Sequence, residues 1–389
     1  MGNSRVNFRG QRADMSPLES VEMQESSSPM RRGVIPVAVL AALLLAVPWL
    51  RTRLSARWGG PCVPVPLPVR SELEPLTARS ADRLEGLATF CDPGVRGLIN
   101  RVLFYGNDAT LASAGPARNV MLWSLATGRA DVLEGTIEYH SLAISPDGEI
   151  LVGGGDDGTI QGWGLTRRER LFSVPHAHRA PIWGIAFDPV GGAFVSAARD
   201  GMLRRWSRAS GALLGEVGGV DEAWPVAFSH DGQLIAVGNG ESASLWTGKT
   251  LEPRGSLTGQ ETATWAVAFS RDDRRLAAGS DGPAIRVYDT GTQGLVQALH
   301  GYRTTVRDVQ YNAAGDLLAA GGWDGSVTVW DAAHGKRLAS RDGHQGRVQT
   351  IAFDRRGLLL ASAGDGGIIR FWGVRRRPVV ARSPTSGAR

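Results

Sequence analysis

Seven copies of one pattern, each about 42 residues long, occupy the chain from about residue 99 to residue 374. Each copy reads as an apolar strand, a turn, a strand of small residues, a second turn and a strand that ends in an aromatic side chain. The closing aromatics are spaced 40, 43, 40, 42, 42 and 42 residues apart, and they are Trp123, Trp163, Trp206, Trp246, Tyr288, Trp330 and Trp372. A unit of this length cannot bury a core of its own, so the copies must pack side by side. Function is therefore expected on surfaces that several repeats share.

The second repeat shows the local pattern most clearly. A buried strand at 142–144 is followed by the turn Ser-Pro-Asp-Gly at 145–148, in which proline presets φ and glycine accepts a positive φ. A second strand at 150–154 leads through the hairpin turn Asp157-Gly158 to a third strand at 159–163. Short, evenly spaced strands with such turns predict an all-β sandwich, barrel or propeller. The period favours the propeller, because a four-stranded blade needs about 42 residues.

Short motifs recur at the same register of these repeats. The sixth repeat ends in Trp330-Asp331 and the fifth in the near copy Tyr288-Asp289, while Gly343-His344 opens the seventh. First strands with their turns read AISPDG, AFSHDG and AFSRDD. In these motifs the chain resembles the WD-repeat proteins, which fold as β-propellers, over about 275 of 389 residues. The resemblance implies an all-β, seven-bladed propeller over residues 84–374.

Some repeats depart from the family pattern. The first has Pro116-Ala117-Arg118 in place of the turn aspartate, and the fourth has Asn239-Gly240-Glu241. The histidine of the Gly-His position is present only at His178 and His344. The resemblance is therefore carried by seven repeats in register rather than by a complete motif in each.

WD-repeat proteins often connect His, Ser or Thr, Asp and Trp in a hydrogen-bonded brace. The resemblance implies a complete brace only in the third repeat, where the register gives His178, Ser196, Asp200 and Trp206. In the seventh repeat the corresponding acid, Asp365, is displaced by one position. A histidine near a serine and an aspartate could also act in catalysis, but the structural interpretation is favoured because the repeat pattern itself supplies these residues.

A ring of blades must not leave an open sheet edge. The last repeat ends at Trp372 and is followed by Arg-Arg-Arg-Pro, which is a poor sequence for a fourth strand. The segment 84–90 resembles the outer strands of other repeats, so we expect it to pair with the seventh blade as a closing strand. The alternative strand at 378–381 is short and begins with proline.

The chain before the repeats divides into three predicted regions. Residues 1–32 are polar and rich in Ser, Glu and Arg, which predicts a disordered leader. Residues 33–50, GVIPVAVLAALLLAVPWL, contain no charge and are long enough for a transmembrane helix. A cleaved signal peptide and a buried core helix are the alternatives, but no good cleavage site follows and nothing nearby could cover such a helix. Residues 51–83 are predicted to be a Pro-rich juxtamembrane spacer.

The orientation of this single-pass arrangement is ambiguous in the sequence. Two arginines precede the apolar segment closely and three follow it, which favours a cytoplasmic propeller, but further arginines in the leader favour a cytoplasmic N-terminus. The only cysteines, Cys62 and Cys91, lie on the same side of the segment and could form a disulfide in an oxidising compartment. We therefore expect the propeller to be extracytoplasmic.

The net charge of +5 does not predict nucleic-acid binding. Residues 375–389, expected to form a disordered basic tail, contain five arginines and no acid, so the rest of the chain sums to zero. A nucleic-acid reader would carry a basic stripe on its folded domain. The chain has 41 arginines and only two lysines, Lys249 and Lys336, which is typical of a GC-rich genome and indicates a bacterial protein.

One column of the repeat alignment predicts a binding surface. The position before each buried first-strand triplet is expected to open onto the top rim of the central channel, as it does in the propellers that this chain resembles. The column consists of Asn100, His140, Trp183, Trp224, Trp265, Arg307 and Gln349, and Trp323 and Arg199 are expected to face the same way. Three tryptophans in adjacent blades would form an apolar crescent beside a polar side. They could instead simply cap their blades.

We expect a membrane-anchored scaffold that binds a protein partner through this rim, because an exposed tryptophan cluster with a nearby arginine has the composition of an interaction hot spot. The alternative is a small-molecule or enzymatic site in the central channel. The sequence contains no metal-ligand spacing, no nucleophile elbow, no phosphate loop and no paired catalytic carboxylates. It therefore predicts neither an enzyme nor a cofactor or metal site.

Overall fold

The computed structural model describes residues 65–376, apart from 92–96, 107, 221, 241 and 258–261. Before the first repeat, the chain forms two 3-10 turns and two strands. These are the turn Arg70–Glu72, strand β1 (Leu73–Glu74), the turn Ala81–Arg83 and strand β2 (Glu85–Cys91). The repeats then form a ring of seven blades.

Six of the blades are four-stranded antiparallel sheets whose strands follow chain order from the centre outwards. Blade 1 contains β3 (Arg101–Tyr105), β4 (Thr110–Ala114), β5 (Asn119–Ser124) and β6 (Ala130–Glu134), and blade 2 contains β7 (Tyr139–Ile144), β8 (Ile150–Gly155), β9 (Ile160–Gly164) and β10 (Glu169–Val174). Blade 3 contains β11 (Ile182–Phe187), β12 (Ala193–Ala198), β13 (Met202–Ser207) and β14 (Leu213–Gly218), and blade 4 contains β15 (Val226–Phe228), β16 (Leu234–Gly238), β17 (Ala243–Thr247) and β18 (Pro253–Leu257). Blade 5 contains β19 (Thr264–Phe269), β20 (Arg275–Ser280), β21 (Ala284–Asp289) and β22 (Leu295–His300), and blade 6 contains β23 (Val306–Tyr311), β24 (Leu317–Gly322), β25 (Ser326–Asp331) and β26 (Arg337–Asp342).

Blade 7 is completed by a strand from before the first repeat. It contains β27 (Val348–Phe353), β28 (Leu360–Gly364), the 3-10 turn Asp365–Gly367 and β29 (Ile368–Arg375). Strand β2, from the segment identified as the closing strand, pairs antiparallel with β29 in a register that runs from Glu85 opposite Gly373 to Cys91 opposite Ile368. The pairing removes the open edge that β29 would otherwise present.

The closing aromatics form the core between blades. All seven lie on the third strand of a blade and are at most 6% exposed. Each packs with apolar side chains of the preceding blade, as Trp163 does with Val120 and Leu122, and Trp330 with Ile285. The side-by-side packing expected from the repeat length is confirmed.

Innermost strands of neighbouring blades are joined by hydrogen bonds from backbone to side chain. Ser141 Oγ accepts a hydrogen bond from the Ile185 N–H at 3.0 Å, and Asp308 Oδ2 accepts one from the Ile351 N–H at 2.9 Å. These bonds satisfy backbone donors that face another blade rather than a sheet neighbour.

The segment from 70 to 84, here called the entry segment, lies in the groove between blades 6 and 7. Leu76, Ala81 and Leu84 are each no more than 1% exposed and share a core with Leu317, Val348 and Trp372. Leu73 is equally buried but belongs to the core that contains Ile369 and Phe371. The Arg341 Nε–H also donates to the carbonyl oxygen of Leu84 at 2.7 Å. The predicted spacer boundary at 83 is therefore wrong, because this part of the chain buries apolar side chains in the propeller.

The predicted start of the basic tail is also too early. Arg375 belongs to β29 and pairs with Glu85 at 3.3 Å, while Arg376 donates from Nε to the Leu73 carbonyl oxygen at 2.9 Å. Both arginines thus tie the end of β29 to the segment that precedes the first repeat, so the predicted tail cannot begin before residue 377.

The other predicted terminal regions are not covered by the structure. The leader 1–32, the apolar segment 33–50, residues 51–64 with Cys62, and residues 377–389 lie outside the described residues. Within the described part of the chain, no helix has the length and hydrophobicity needed to cross a bilayer.

Candidate functional site

The predicted rim residues converge at one end of the central channel, where the innermost strands begin. In blades 2, 3, 5, 6 and 7 the residue of the column is skipped in the pairing between the first and second strands, which forms a β-bulge. A bulge leaves its residue unpaired and changes the direction of its side chain. All seven column residues line one cavity that is partly open to solvent. We call these seven residues the channel mouth.

Five planar side chains form a continuous chain of contacts across the channel mouth. His140 stacks on Trp183 with ring centroids 4.2 Å apart, and Trp224 stacks on Trp265 at 4.1 Å. The guanidinium carbon of Arg307 lies 4.6 Å from the Trp265 centroid and 5.5 Å from the Trp183 centroid, so it connects the two stacks. This set of five residues is here called the aromatic stack.

The aromatic stack differs from the crescent that the sequence suggests. Arg307 was expected on a polar side of the rim, but it reaches from blade 6 to Trp183 in blade 3. A guanidinium group is attracted to the faces of indole rings, and this interaction brings the polar and apolar halves together. The three tryptophans of the mouth are consequently half-buried rather than fully exposed.

Hydrogen bonds hold three members of the stack in place. His140 Nε2 lies 3.0 Å from Asp156 Oδ1, and the Trp265 Nε1–H donates to Asp281 Oδ1 at 2.6 Å. The Arg307 Nε–H donates to Gln349 Oε1 at 3.0 Å. These contacts hold the planar groups in place before any partner arrives, which lowers the entropy cost of binding.

Asn100 makes the remaining polar contacts of the channel mouth. Its Nδ2 donates to the carbonyl oxygen of Tyr139 at 2.8 Å and lies 3.4 Å from His140 Nδ1. Asn100 thereby links blade 1 to the residue on which the stack begins.

The charges of the channel mouth are unequally paired. Arg101 lines the cavity and forms an ion pair with Asp308 at 3.2 Å, across the position of blade 7. Arg307 forms no ion pair with any residue that the structure describes. Burial, with smaller contributions from the nearby Arg101 and Arg347, lowers the pKa of Arg307 to about 10, although Asp308 and Asp281 oppose the shift. At neutral pH the mouth therefore holds a guanidinium charge without a carboxylate partner.

The two residues predicted outside the column lie beside the mouth rather than in its cavity. Trp323 contacts Trp265 with centroids 6.1 Å apart, and its ring lies 5.3 Å from the guanidinium carbon of Arg347. Arg199 is exposed and lies 3.7 Å from Glu222. Neither belongs to the cavity lining, although Trp323 extends the aromatic surface towards blade 6.

The four residues of the predicted brace form one hydrogen-bonded chain in blade 3. His178 Nδ1 lies 2.9 Å from Asp200 Oδ1, His178 Nε2 lies 2.6 Å from Ser196 Oγ, and Trp206 Nε1 donates to Ser196 Oγ at 2.8 Å. His178 and Ser196 are at most 1% exposed. Burial lowers the pKa of His178, although its bond to Asp200 opposes that shift. A serine and a histidine closed off from solvent cannot meet a substrate, so the geometry favours the structural role.

Blade 7 contains the same arrangement without the acid. His344 Nε2 and Trp372 Nε1 each lie 2.8 Å from Ser362 Oγ. The displaced Asp365 accepts a hydrogen bond from the Arg347 N–H at 2.9 Å and pairs with the Arg347 side chain. Burial, with a contribution from Arg370, lowers the pKa of His344 to about 3. His344 is therefore neutral at physiological pH.

Sequence reasoning missed the charged residues beneath and around the column. Arg101 and Asp308 each follow a column residue directly, and Asp156 and Asp281 follow the second strands of blades 2 and 5. The positions of Asp156 and Asp281 could have been predicted, because several repeats carry an acidic residue near the turn after the second strand.

Among the residues that the structure describes, no group of three His, Cys, Asp or Glu side chains is placed to hold a metal ion.

Comparison with known families supports the repeat assignment. The sequence matches the family described as WD40, WD domain, G-beta repeat, over residues 132–164, 169–207, 251–289, 293–331 and 335–373. Within the ring, the matched stretches leave out β3–β5 of blade 1, β14 of blade 3 and β15–β17 of blade 4. The turn sequences of blades 1 and 4 depart from the family pattern. Both blades nevertheless have four strands in the structure.

Curated relatives are similar over part of the chain. A WD repeat-containing protein SL1-17 from Schistosoma mansoni is 27% identical over 43% of this chain and 56% of its own length. A p21-activated protein kinase-interacting protein 1-like from Danio rerio is 24% identical over 41% of this chain and 43% of its own length. The cilia- and flagella-associated protein 52 of Chlamydomonas reinhardtii is 31% identical over 27% of this chain and 17% of its own length. The chain thus spans about half or less of these relatives, and their eukaryotic sources leave the expected bacterial origin unsupported.

Proposed function

We propose that this chain, which carries WD40 repeats folded into a seven-bladed propeller, is a scaffold that binds a protein partner at the channel mouth. The observation that carries the proposal is the aromatic stack. It places three half-buried tryptophans and an arginine in mutual contact around one cavity. Tryptophan and arginine are the residue types most enriched among interface hot spots, and such hot spots lie near the centre of an interface in well-packed pockets.

The fold and the comparisons fit a binding role. WD40 propellers are typical interaction scaffolds, and one relative is named for its interaction with a protein kinase. The rigid ring holds residues from seven blades in fixed positions, so a partner meets a preorganised surface.

The alternative of a ligand inside the channel is less favoured by this geometry. The side chains of the rim pack against one another across the opening, with Arg307 between Trp183 and Trp265. A partner can lie on this surface and place one side chain in the part of the cavity that is open to solvent, whereas a small molecule bound deeper in the channel would have to displace the stack to enter. A thermal-shift screen that finds a metabolite raising the melting temperature of wild type and of an Arg307→Gln variant equally would support the channel site instead.

A capture experiment tests the scaffold role. We expect the triple variant Trp183→Ser, Trp224→Ser and Trp265→Ser to keep the propeller fold and to lose the partner in crosslinking capture from native membranes. A matched control replaces three exposed apolar side chains on outer strands, Leu213, Leu214 and Leu295, by serine. The control removes comparable apolar surface from the side of the ring and should capture like wild type. Equal capture by the triple tryptophan variant and wild type would contradict the proposal.

We also propose that residues 33–50 anchor the propeller to a membrane on its extracytoplasmic side. The uncharged 18-residue segment supports an anchor. The state of Cys91, which is disulfide-bonded, supports an oxidising compartment. The predicted pairing with Cys62, the other cysteine of the chain, involves a residue outside the described part.

Protease protection in intact cells tests this topology. We expect the propeller to be cleaved by protease added outside a cell whose outer barriers are permeabilised, and the protein to stay in the membrane pellet after alkaline carbonate extraction. Release into the supernatant would contradict the anchor. Protection of the propeller until the inner membrane is lysed would contradict the proposed side.

A further inference from the structure

The geometry points to an acidic side chain of the partner, glutamate or aspartate, as the group that the channel mouth recognises. We propose that this carboxylate enters the cavity and accepts hydrogen bonds from Arg307 and from the Trp183 indole N–H. The inference rests on the proposed scaffold function and specifies the chemistry of its partner.

The first argument is the unpaired charge of Arg307. Among the described residues, its hydrogen-bond acceptors are Gln349 Oε1 at 3.0 Å and the Trp265 carbonyl oxygen at 3.5 Å, and neither carries a charge. The adjacent carboxylate, Asp308, is already engaged by Arg101 and by the Ile351 N–H. A desolvated guanidinium without a counter-ion is unfavourable, and a carboxylate matches its planar fork of donors.

The second argument is a pair of unused donors in the cavity lining. Trp183 Nε1 and Arg101 Nε are buried and have no hydrogen-bond partner among the described residues. Both residues line the cavity together with Arg307. Buried N–H groups are nearly always paired in folded proteins, so two such donors beside one cation favour a ligand that supplies acceptor atoms.

The third argument is the charge count of the cavity. Its lining contains two guanidinium groups, Arg101 and Arg307, and one carboxylate, Asp308, which leaves one positive charge. One carboxylate neutralises that charge. A phosphate group carries nearly two negative charges and exceeds it.

Charges around the mouth disfavour a polyanion. His140 pairs with Asp156, Arg199 with Glu222, and Arg347 with Asp365. Around the mouth, these pairs leave the described residues without a continuous basic stripe of the kind that a nucleic-acid backbone requires. An isolated acidic side chain can reach the cavity while its flanking backbone lies on the indole faces, and the partner segment is therefore expected to be neutral or basic around that residue.

Titration with small probes tests the chemistry directly. The full chain, in lipid nanodiscs and labelled with 5-fluorotryptophan, is observed by fluorine NMR, and the Trp183 signal is assigned with a Trp183→Phe variant. The probe is N-acetylglutamate α-amide, which carries only the side-chain carboxylate, at constant ionic strength. Its neutral control is N-acetylglutamine amide, which has the same shape.

We expect the Trp183 signal to shift saturably with the carboxylate probe and not with its neutral control. The Arg307→Gln variant, which keeps a polar side chain without the charge, should bind the probe about tenfold or more weakly. Unchanged signals of the buried Trp123 and Trp330 in that variant verify the fold. An equal response to both probes, or an unchanged affinity of Arg307→Gln, would overturn the inference.

Further probes separate the other sources of negative charge. Tighter binding of N-acetylglutamine, whose only carboxylate is at the C-terminus, would assign the cavity to a chain end and overturn the side-chain assignment. Tighter binding of inorganic phosphate or of an oligothymidylate would assign it to a phosphorylated or nucleic-acid partner. If the triple tryptophan variant loses capture but Arg307→Gln captures normally and no probe binds, the scaffold function stands and this inference fails.

Discussion

The hydroxyl of Ser196 is the point at which the brace of blade 3 can be cut with least change in volume. Ser196 Oγ contacts both Trp206 Nε1 at 2.8 Å and His178 Nε2 at 2.6 Å, and the serine is completely buried. The substitution Ser196→Ala therefore leaves two buried polar atoms without a partner. Each such atom costs about 1–3 kcal/mol, so the variant should lose about 2–6 kcal/mol of unfolding free energy.

Blade 1 supplies a matched control for this prediction. Among the residues that the structure describes, Ser113 Oγ accepts a hydrogen bond only from the Trp123 Nε1–H, at 2.8 Å, and this serine is at most 1% exposed. Ser113→Ala should therefore cost about 1–3 kcal/mol, roughly half as much. Urea unfolding at pH 7.5 measures both values. The midpoints can be compared directly if the dependence of the unfolding free energy on urea concentration is the same in all variants. A cost of Ser196→Ala no larger than that of Ser113→Ala would show that the histidine contact contributes nothing and would refute the reasoning.

Other predictions concern closure and pH. Phe90→Ala should lower the unfolding free energy by about 3–5 kcal/mol, because Phe90 of β2 is buried with its ring centroid 4.7 Å from that of Phe371, and an unchanged urea midpoint would contradict closure by β2. The pKa of His344 is about 3 in the folded protein and near its ordinary value of 6.5 in the unfolded chain, so the unfolded chain binds a proton first as the pH falls. The free energy of unfolding should therefore fall by about 3 kcal/mol between pH 7 and about pH 4. The His344→Gln variant should flatten that part of the pH profile. Burial raises the pKa of Asp354 to about 6, so the folded state holds this proton more tightly than the unfolded chain does. The resulting stabilisation is complete below pH 3.8 and is lost as the pH rises through 6. Asp354→Asn can keep the acceptor for the Leu358 N–H and should be about 1–3 kcal/mol more stable than wild type at pH 8 but not at pH 4, as measured by urea unfolding.

The propeller fold could be predicted because the sequence pattern that specifies each blade is repeated along the chain. The closing aromatics recur at nearly constant spacing, and a strand pattern repeated seven times tolerates the altered turns of blades 1 and 4. The entry segment carries no such period. Leu76, Ala81 and Leu84 are separated mainly by polar residues, so their burial depends on the groove between two blades rather than on local sequence.

The position of each rim residue was also predictable, but its contacts were not. The repeat register brings the column to one cavity, because each member stands at the same place in its blade. The register does not specify side-chain length or direction, and Arg307 is long enough to cross the mouth to Trp183. The stack therefore depends on distances between blades that no single repeat contains. A binding role for these residues stays a prediction.

Site-specific photo-crosslinking tests the central claim most directly. The photoreactive residue p-benzoylphenylalanine replaces Trp224 at the channel mouth in one variant and Leu214, an exposed position on the outer strand of blade 3, in the other. Both variants are irradiated in native membranes. The account predicts a specific protein adduct from position 224 that is absent from position 214. An adduct formed only from position 214 would place the partner on the side of the ring and contradict the assignment of function to the channel mouth.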